Sequence, residues 1–263
     1  MINILHKLGL PVNISVQGTG IDEVNAITHW LMLVLFVGWG SFFIVSLVKF
    51  RASKNKKADY GGAKSHISSL LEAAVAVIEI LVLFGFAFPI WASRVNDVPN
   101  PSEAIHIRVI AQQFAWNIHY PGADGKFGQV RSDLVDEQEN PIGLDRKSEN
   151  AADDFFTINQ LHIPAHKKIR VDLTSKDVIH SFGLPELRVK QDAIPGMGIP
   201  VHFEATMTSD EFLKTTIGTA RQGQGLEIAC AQLCGLGHYR MKGFLTVHSE
   251  EGFQTWLDEQ AGY

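Results

Sequence analysis

Twelve residues near the C-terminal end gather an unusual set of soft donor atoms: Cys230-Ala-Gln-Leu-Cys234-Gly-Leu-Gly-His238-Tyr-Arg-Met241. Two thiols, an imidazole and a thioether follow the strand-like run Leu226-Glu227-Ile228. The chain has only 2 cysteines, so no disulfide framework holds it together. Spaced as C-x3-C, the pair could close one small disulfide, bind metal, or stand as buried thiols. Sulfur together with imidazole suits copper or zinc, and a methionine ligand argues for copper. A blue-copper ion needs one cysteine, two histidines and a weak methionine. The second cysteine is then surplus, unless two metal ions share bridging thiolates. The non-redox alternative is a disulfide inside an interaction module.

A second pair of chemically notable residues, Glu72 and Glu79, lies inside an apolar run from Ser69 to Ala92. Seven residues apart, they fall on nearly one helical face, about 10 Å from each other along the axis. An ionisable group at mid-membrane costs on the order of 3 kcal/mol unless it faces protein or water. Glu79 is thus either a protonated carboxyl that hydrogen-bonds a neighbour or a proton relay.

The elements that must carry these residues are of two kinds. Ile27 to Val48 is a 22-residue run without formal charge, about 33 Å as a helix and long enough for a bilayer core. It is too long and too far from the start for a signal-peptide core, and Lys49 and Arg51 follow it rather than a small-residue cleavage site. Between the two runs stand Lys49, Arg51, Lys54, Lys56, Lys57 and Lys64, with Asp59 the only acid. The positive-inside rule puts that loop in the cytoplasm and the rest outside. The expected layout is an external N-terminal segment (1–26) and a transmembrane hairpin (27–93), then an external domain (100–263). The hairpin has spans at 27–48 and 69–92 and a cytoplasmic loop at 49–68.

After Pro101 the apolar period becomes two. Ile105, Ile107 and Val109 alternate with polar residues, as do Ile169, Val171 and Leu173, then Val201, Phe203 and Ala205, then Leu245 and Val247. Turns such as Pro121-Gly122 and Pro195-Gly196 separate these runs. The pattern predicts a β-sandwich or Greek-key barrel. Residues 131–154 break it with eight acids and few apolar side chains, which predicts a surface loop or insertion. Ser249, Glu250 and Glu251 can start a final helix whose Phe253, Trp256 and Leu257 form one face. The net charge is -5 and no Lys/Arg-rich stretch resembles a nucleic-acid patch, which argues against nucleic acid as a partner. No C-x-x-C-H run occurs, so no c-type haem is expected in this chain.

The pattern C-x-[E/Q]-x-C-x3-H-x2-M resembles the dinuclear copper (CuA) motif of subunit II of haem-copper cytochrome c oxidases. Upstream, Thr174-Ser-Lys-Asp-Val-Ile-His180-Ser and Pro185-Glu-Leu-Arg-Val-Lys-Gln-Asp-Ala-Ile-Pro-Gly196 match the same family, as do Glu72, Pro89 and Gln113-Phe114-Ala115-Trp116. The likeness covers about residues 25 to 260, the acidic insertion excepted. It implies an α+β membrane protein with a two-helix hairpin and a cupredoxin-like outer domain. By position, Cys230 and Cys234 would bridge two copper ions, His180 and His238 would give one nitrogen each, and Met241 and the carbonyl of Gln232 would complete the set.

The resemblance further implies an electron-entry subunit that passes electrons from a cytochrome c to subunit I. Oxygen would be reduced there, with protons translocated across a bacterial cytoplasmic membrane and subunit III as a further partner. Phe114 and Trp116 would be the electron-entry aromatics and Glu72 the mouth of a proton path. Three positions depart from the pattern. Gln232 replaces a glutamate that helps hold magnesium at the subunit I border, which puts that magnesium site in doubt. Phe114 replaces the usual tryptophan, and Glu79 stands where relatives carry proline. A CuA subunit of a nitric oxide reductase would show the same motif. A quinol oxidase subunit II would lack the copper ligands.

Overall fold

The computed structural model describes residues 2–57, 60–61 and 65–261. Asp59 and Lys64 of the basic loop lie outside the described residues. The chain forms two compact units, residues 1–10 with 20–93, and residues 11–19 with 94–263.

The first unit contains a short helix α1 (Ile2–Lys7), α2 (Gly18–Lys49) and α3 (Ile67–Val82). A π-helical turn, Leu83–Ala87, joins α3 to α4 (Phe88–Asn96). The turn has a local cause. Pro89 has no N–H to donate and its ring crowds the carbonyl four residues back. The ladder widens there, and the Phe88 N–H bonds Leu83 O, five residues earlier. The helices Gly18–Lys49 and Ile67–Asn96 have their most apolar windows wholly unburied, with Phe36, Phe42, Leu70 and Phe84 exposed. A soluble protein would bury such helices, whereas a bilayer solvates them. The chain is membrane-anchored.

The second unit holds two five-stranded sheets. One is ordered β3 (Phe155–Ile158), β2 (Ala115–Tyr120), β1 (Ile105–Gln112), β5 (Lys168–Ser175) and β8 (Ile199–Glu204). The other is ordered β4 (Gln160–Pro164), β10 (Lys242–His248), β9 (Leu226–Cys230), β6 (His180–Leu184) and β7 (Val189–Ala193). The β1–β5 and β4–β10 pairs are parallel and the other pairs antiparallel. The period-two residues face inward as expected: Ile107, Val109, Ile169, Val171 and Leu173 are fully buried, with Phe203, Leu245 and Val247 nearly so. This is the cupredoxin-like Greek-key sandwich.

Two features were not legible beforehand. Residues just before α2 belong to the sandwich. Ile14 is fully buried in its core, Ser15 bridges Ala205, and Ile14 exchanges backbone bonds with Glu186 O (2.9 Å) and Thr206 N (2.8 Å). The chain therefore leaves this unit at Thr19 and re-enters it at Arg94. The acid-rich segment, expected as a surface loop or insertion, carries a small core of its own. Ile142, Leu144 and Ala151 pack with Ile110 and Phe156, and Asp154 meets His119 at 2.6 Å with both side chains fully buried. Three apolar side chains and one buried His–Asp hydrogen bond hold it down; burial keeps the His119 pKa below its ordinary value.

Candidate metal centre

The donor set assembles where three strand ends meet. His180 opens β6, Cys230 closes β9, and the pairing of Phe182 with Cys230 sets the two strands side by side. From Cys230 the chain loops out and returns through a 3-10 turn, His238–Arg240, to Met241, just before β10. Cys230 N–H bonds Met241 O at 3.4 Å, which closes the loop on itself.

The side chains converge inside it. Cys230 Sγ lies 3.8 Å from Cys234 Sγ, 4.0 Å from His180 Nδ1 and 3.2 Å from the carbonyl of Gln232. Cys234 Sγ lies 3.6 Å from His238 Nδ1 and 3.7 Å from Met241 Sδ. His180 Nδ1 lies 3.1 Å from the same Met241 sulfur. A disulfide needs sulfurs about 2.05 Å apart, so both cysteines are free thiols. His180, Cys234 and Met241 are buried, while Cys230 and His238 are half-buried. Burial, then the Cys230 thiol beside it, pushes the Cys234 thiol up to about 11. A bound cation would favour the Cys234 thiolate.

Asp177, three residues before His180, fixes that ring. Its Oδ1 meets His180 Nε2 at 2.8 Å, which turns Nδ1 toward the sulfurs. It also accepts from the backbone N–H groups of Gln113 (2.7 Å) and Val178 (2.6 Å). Burial opposes its charge, yet the bonds from His180, Gln113 and Val178 hold its carboxyl below the usual range. The Gln113 side chain donates to Cys234 O at 2.6 Å. Neither residue stood out as a site residue in sequence, although both lie inside the quoted motifs. Their roles depend on which strand ends meet.

The other expected site residues are dispersed. Phe114 is half-buried and lies on the loop: a Cβ at Gly237 would come within 2.4 Å of its ring. Trp116 is fully buried, its ring centroid 6.2 Å from that of His180 and 5.5 Å from that of Phe182. Glu72 and Glu79 are exposed on α3, in the other unit. Around the loop Leu233, Leu236 and Tyr239 are 80%, 98% and 87% exposed.

The sequence profile of the family described as cytochrome c oxidase subunit II, periplasmic domain, matches residues 105–247. The chain belongs to the cytochrome c oxidase subunit II family. It is 29% identical over 242 residues to an alternative cytochrome c oxidase subunit 2 of Bradyrhizobium diazoefficiens, covering 91% of this chain and 80% of the relative. It is 27% identical over 254 residues to the cytochrome c oxidase subunit 2 of Cereibacter sphaeroides, covering 89% and 76%. The solved periplasmic domain of subunit II of cytochrome oxidase from Bradyrhizobium japonicum is 28% identical, with 63% of this chain and 97% of that one covered and a TM-score of 0.41.

Subunit II proteins are components of haem-copper oxidase complexes, and the family implies copper in this domain. The donor chemistry fits. Thiols, imidazoles and a thioether within reach of one another are soft ligands, and the thioether favours copper over zinc. His180, Cys230 and Cys234 alone bring their ligand atoms within 4.8 Å of one another.

Proposed function

We propose that this chain is the electron-entry subunit of a terminal respiratory oxidase. Its outer domain, on the periplasmic side of a bacterial inner membrane, would take electrons from a c-type cytochrome and hand them to catalytic subunit I. The observation that carries this is the convergence of two cysteines, two histidines, a methionine and one carbonyl at the strand ends. Cys230 and Cys234 would bridge two copper ions. His180 and His238 would each give a nitrogen, and Met241 and the Gln232 carbonyl would fill the remaining positions. When bound, such a copper pair would supply one-electron uptake and release.

The chain's own part is to hold the donors still and dry. The buried side chains of His180, Cys234 and Met241 exclude water, and Asp177 locks one imidazole in orientation. Phe114, on the loop, is the outer electron-entry aromatic, and Trp116 stands behind His180 as an inner one. The exposed Leu233, Leu236 and Tyr239 make an apolar rim suited to burial against subunit I. Glu72 is assigned to the mouth of a proton path into that subunit, and Glu79 to a carboxyl facing it. Gln232 offers an amide where magnesium would want a carboxylate. Subunit III is a further expected partner.

Copper analysis and electron paramagnetic resonance of the intact, copper-loaded chain test this. Two coppers per chain with a mixed-valence signal are expected, and Cys234→Ser should abolish that signal. One copper per folded wild-type chain, or none, overturns the proposal.

A further inference from the structure

We infer that Gln113 is a positioning residue of the metal centre, tying the tip of the β1–β2 hairpin to both sides of the ligand set. The inference rests on the copper site proposed above. Gln113 follows β1 directly and is exposed, yet both of its ends are engaged. Its backbone N–H donates to Asp177 Oδ2 at 2.7 Å. The other oxygen of Asp177 orients His180. Its side-chain Nε2 donates to the carbonyl of Cys234 at 2.6 Å. One surface residue therefore reaches a cysteine on the loop directly and a histidine on β6 through a single carboxylate.

The loop is shaped to receive it. Gly235 has φ of +131°, and a Cβ there would sit 2.6 Å from Gln113 Nε2. At Gly237 a Cβ would meet the Phe114 ring at 2.4 Å. Side chains are missing from the loop just where the Gln113–Phe114 tip lies on it. An exposed amide adds little to the hydrophobic core, so its double engagement points to the site rather than to the sandwich.

The electrostatics give a sign. The amide N–H presents the positive end of its dipole to the Cys234 backbone, beside a sulfur that gains negative charge when the centre is reduced. That charge is felt strongly because Cys234 is buried. Removing the donor should disfavour the reduced form and lower the reduction potential.

The test uses the full chain, copper-loaded in detergent, as wild type, Gln113→Leu, Gln113→Asn and Asp177→Asn. Asparagine keeps the amide but is one methylene too short to reach the carbonyl. Both Gln113 variants should fold as wild type. Each should bind copper about tenfold more weakly, in the range for lost outer-shell partners. Each should show an altered copper hyperfine pattern and a lower potential; a tenfold shift in the one-electron equilibrium corresponds to about 59 mV. Combining Gln113→Leu with Asp177→Asn should cost less than the sum of the two, because they act through one network. Gln113 variants matching wild type in hyperfine pattern and potential would overturn the role of Gln113 alone. A wild-type chain lacking the mixed-valence signal would overturn the copper proposal itself.

Discussion

Glu72 and Glu79 are exposed on a helix whose Leu70, Leu71, Val77, Ile78 and Ile80 are exposed too. Such a surface suits lipid or another membrane protein, and a glutamate charge there is costly. Both carboxyls therefore belong against protein or trapped water. Glutamine keeps the hydrogen bonding of a glutamic acid but cannot carry a proton, so it separates the two roles. In the intact complex, Glu72→Gln should slow turnover while donor-driven reduction of the copper centre is unchanged. Glu79→Gln should leave steady-state turnover and its pH profile unchanged, as expected of a protonated carboxyl that only hydrogen-bonds. Slower turnover with an altered profile would make Glu79 a relay. At this scale the sequence spoke clearly about donors and poorly about their supports. Cys230, Cys234, His238 and Met241 are legible because ligand chemistry is read from residue type and spacing. Asp177 and Gln113 are not, since their partners come from other strands. Nor is the complete burial of Trp116, which depends on the packing of Phe182 and His180 around it.

Among elements, the alternation along β1, β5, β8 and β10 was legible because an inward face must be apolar on every second residue. So was the final helix, α5 (Glu250–Ala261). Ser249 Oγ caps it by accepting from Gly252 N at 3.0 Å, and Trp256 stacks on His162 with ring centroids 4.2 Å apart. The segment before α2 was hard to place: Val12, Ile14 and Val16 alternate with Asn13, Ser15 and Gln17, but the run is short and of the three only Ile14 is buried. Its role comes from long-range contacts: the side chains of Ser15 and Gln17 both donate to Leu187 O at 2.8 Å, and Arg188 donates to Pro11 O at 2.6 Å. An outer domain produced from residue 94 onward would lack this strap and leave the Ile14 site open. In the full chain, Ile14→Ala should cost about 2–5 kcal/mol, the usual range for emptying a fully buried site, measured by chemical denaturation of the outer domain. A peptide of residues 11–19 added to the truncated domain should raise its melting temperature. Equal stability with and without the strap would reduce it to a passive linker.

For the whole molecule, the proposed function raises the question of how a soluble electron donor would find the centre. The net charge is -5, and residues 131–154 hold eight acids against Arg131, Arg146 and Lys147. Several of these carboxylates work internally: Asp133 pairs with Arg131 at 2.6 Å, Glu137 with Lys176 at 2.9 Å, and Asp154 with the buried His119. Pairing consumes their local reach, but the excess of acids still sets the sign of the far field, which draws a basic partner. That field is screened within about 8 Å at physiological ionic strength. The association rate with a basic c-type cytochrome should therefore fall as salt rises, while electron transfer within the docked complex stays constant. The residues that carry the effect can be separated from those that hold the fold. Glu139 and Glu149 are exposed and lie outside the salt bridges just named, so replacing both with glutamine should flatten the salt dependence without lowering stability. Replacing Glu137 should loosen the insertion, because Lys176 also bonds Gln112 (2.7 Å) and Pro141 O (2.9 Å) and would lose its counter-charge. A rate indifferent to salt in wild-type protein would count against steering altogether. It would favour a permanently attached donor, whose encounter with the centre needs no long-range charge.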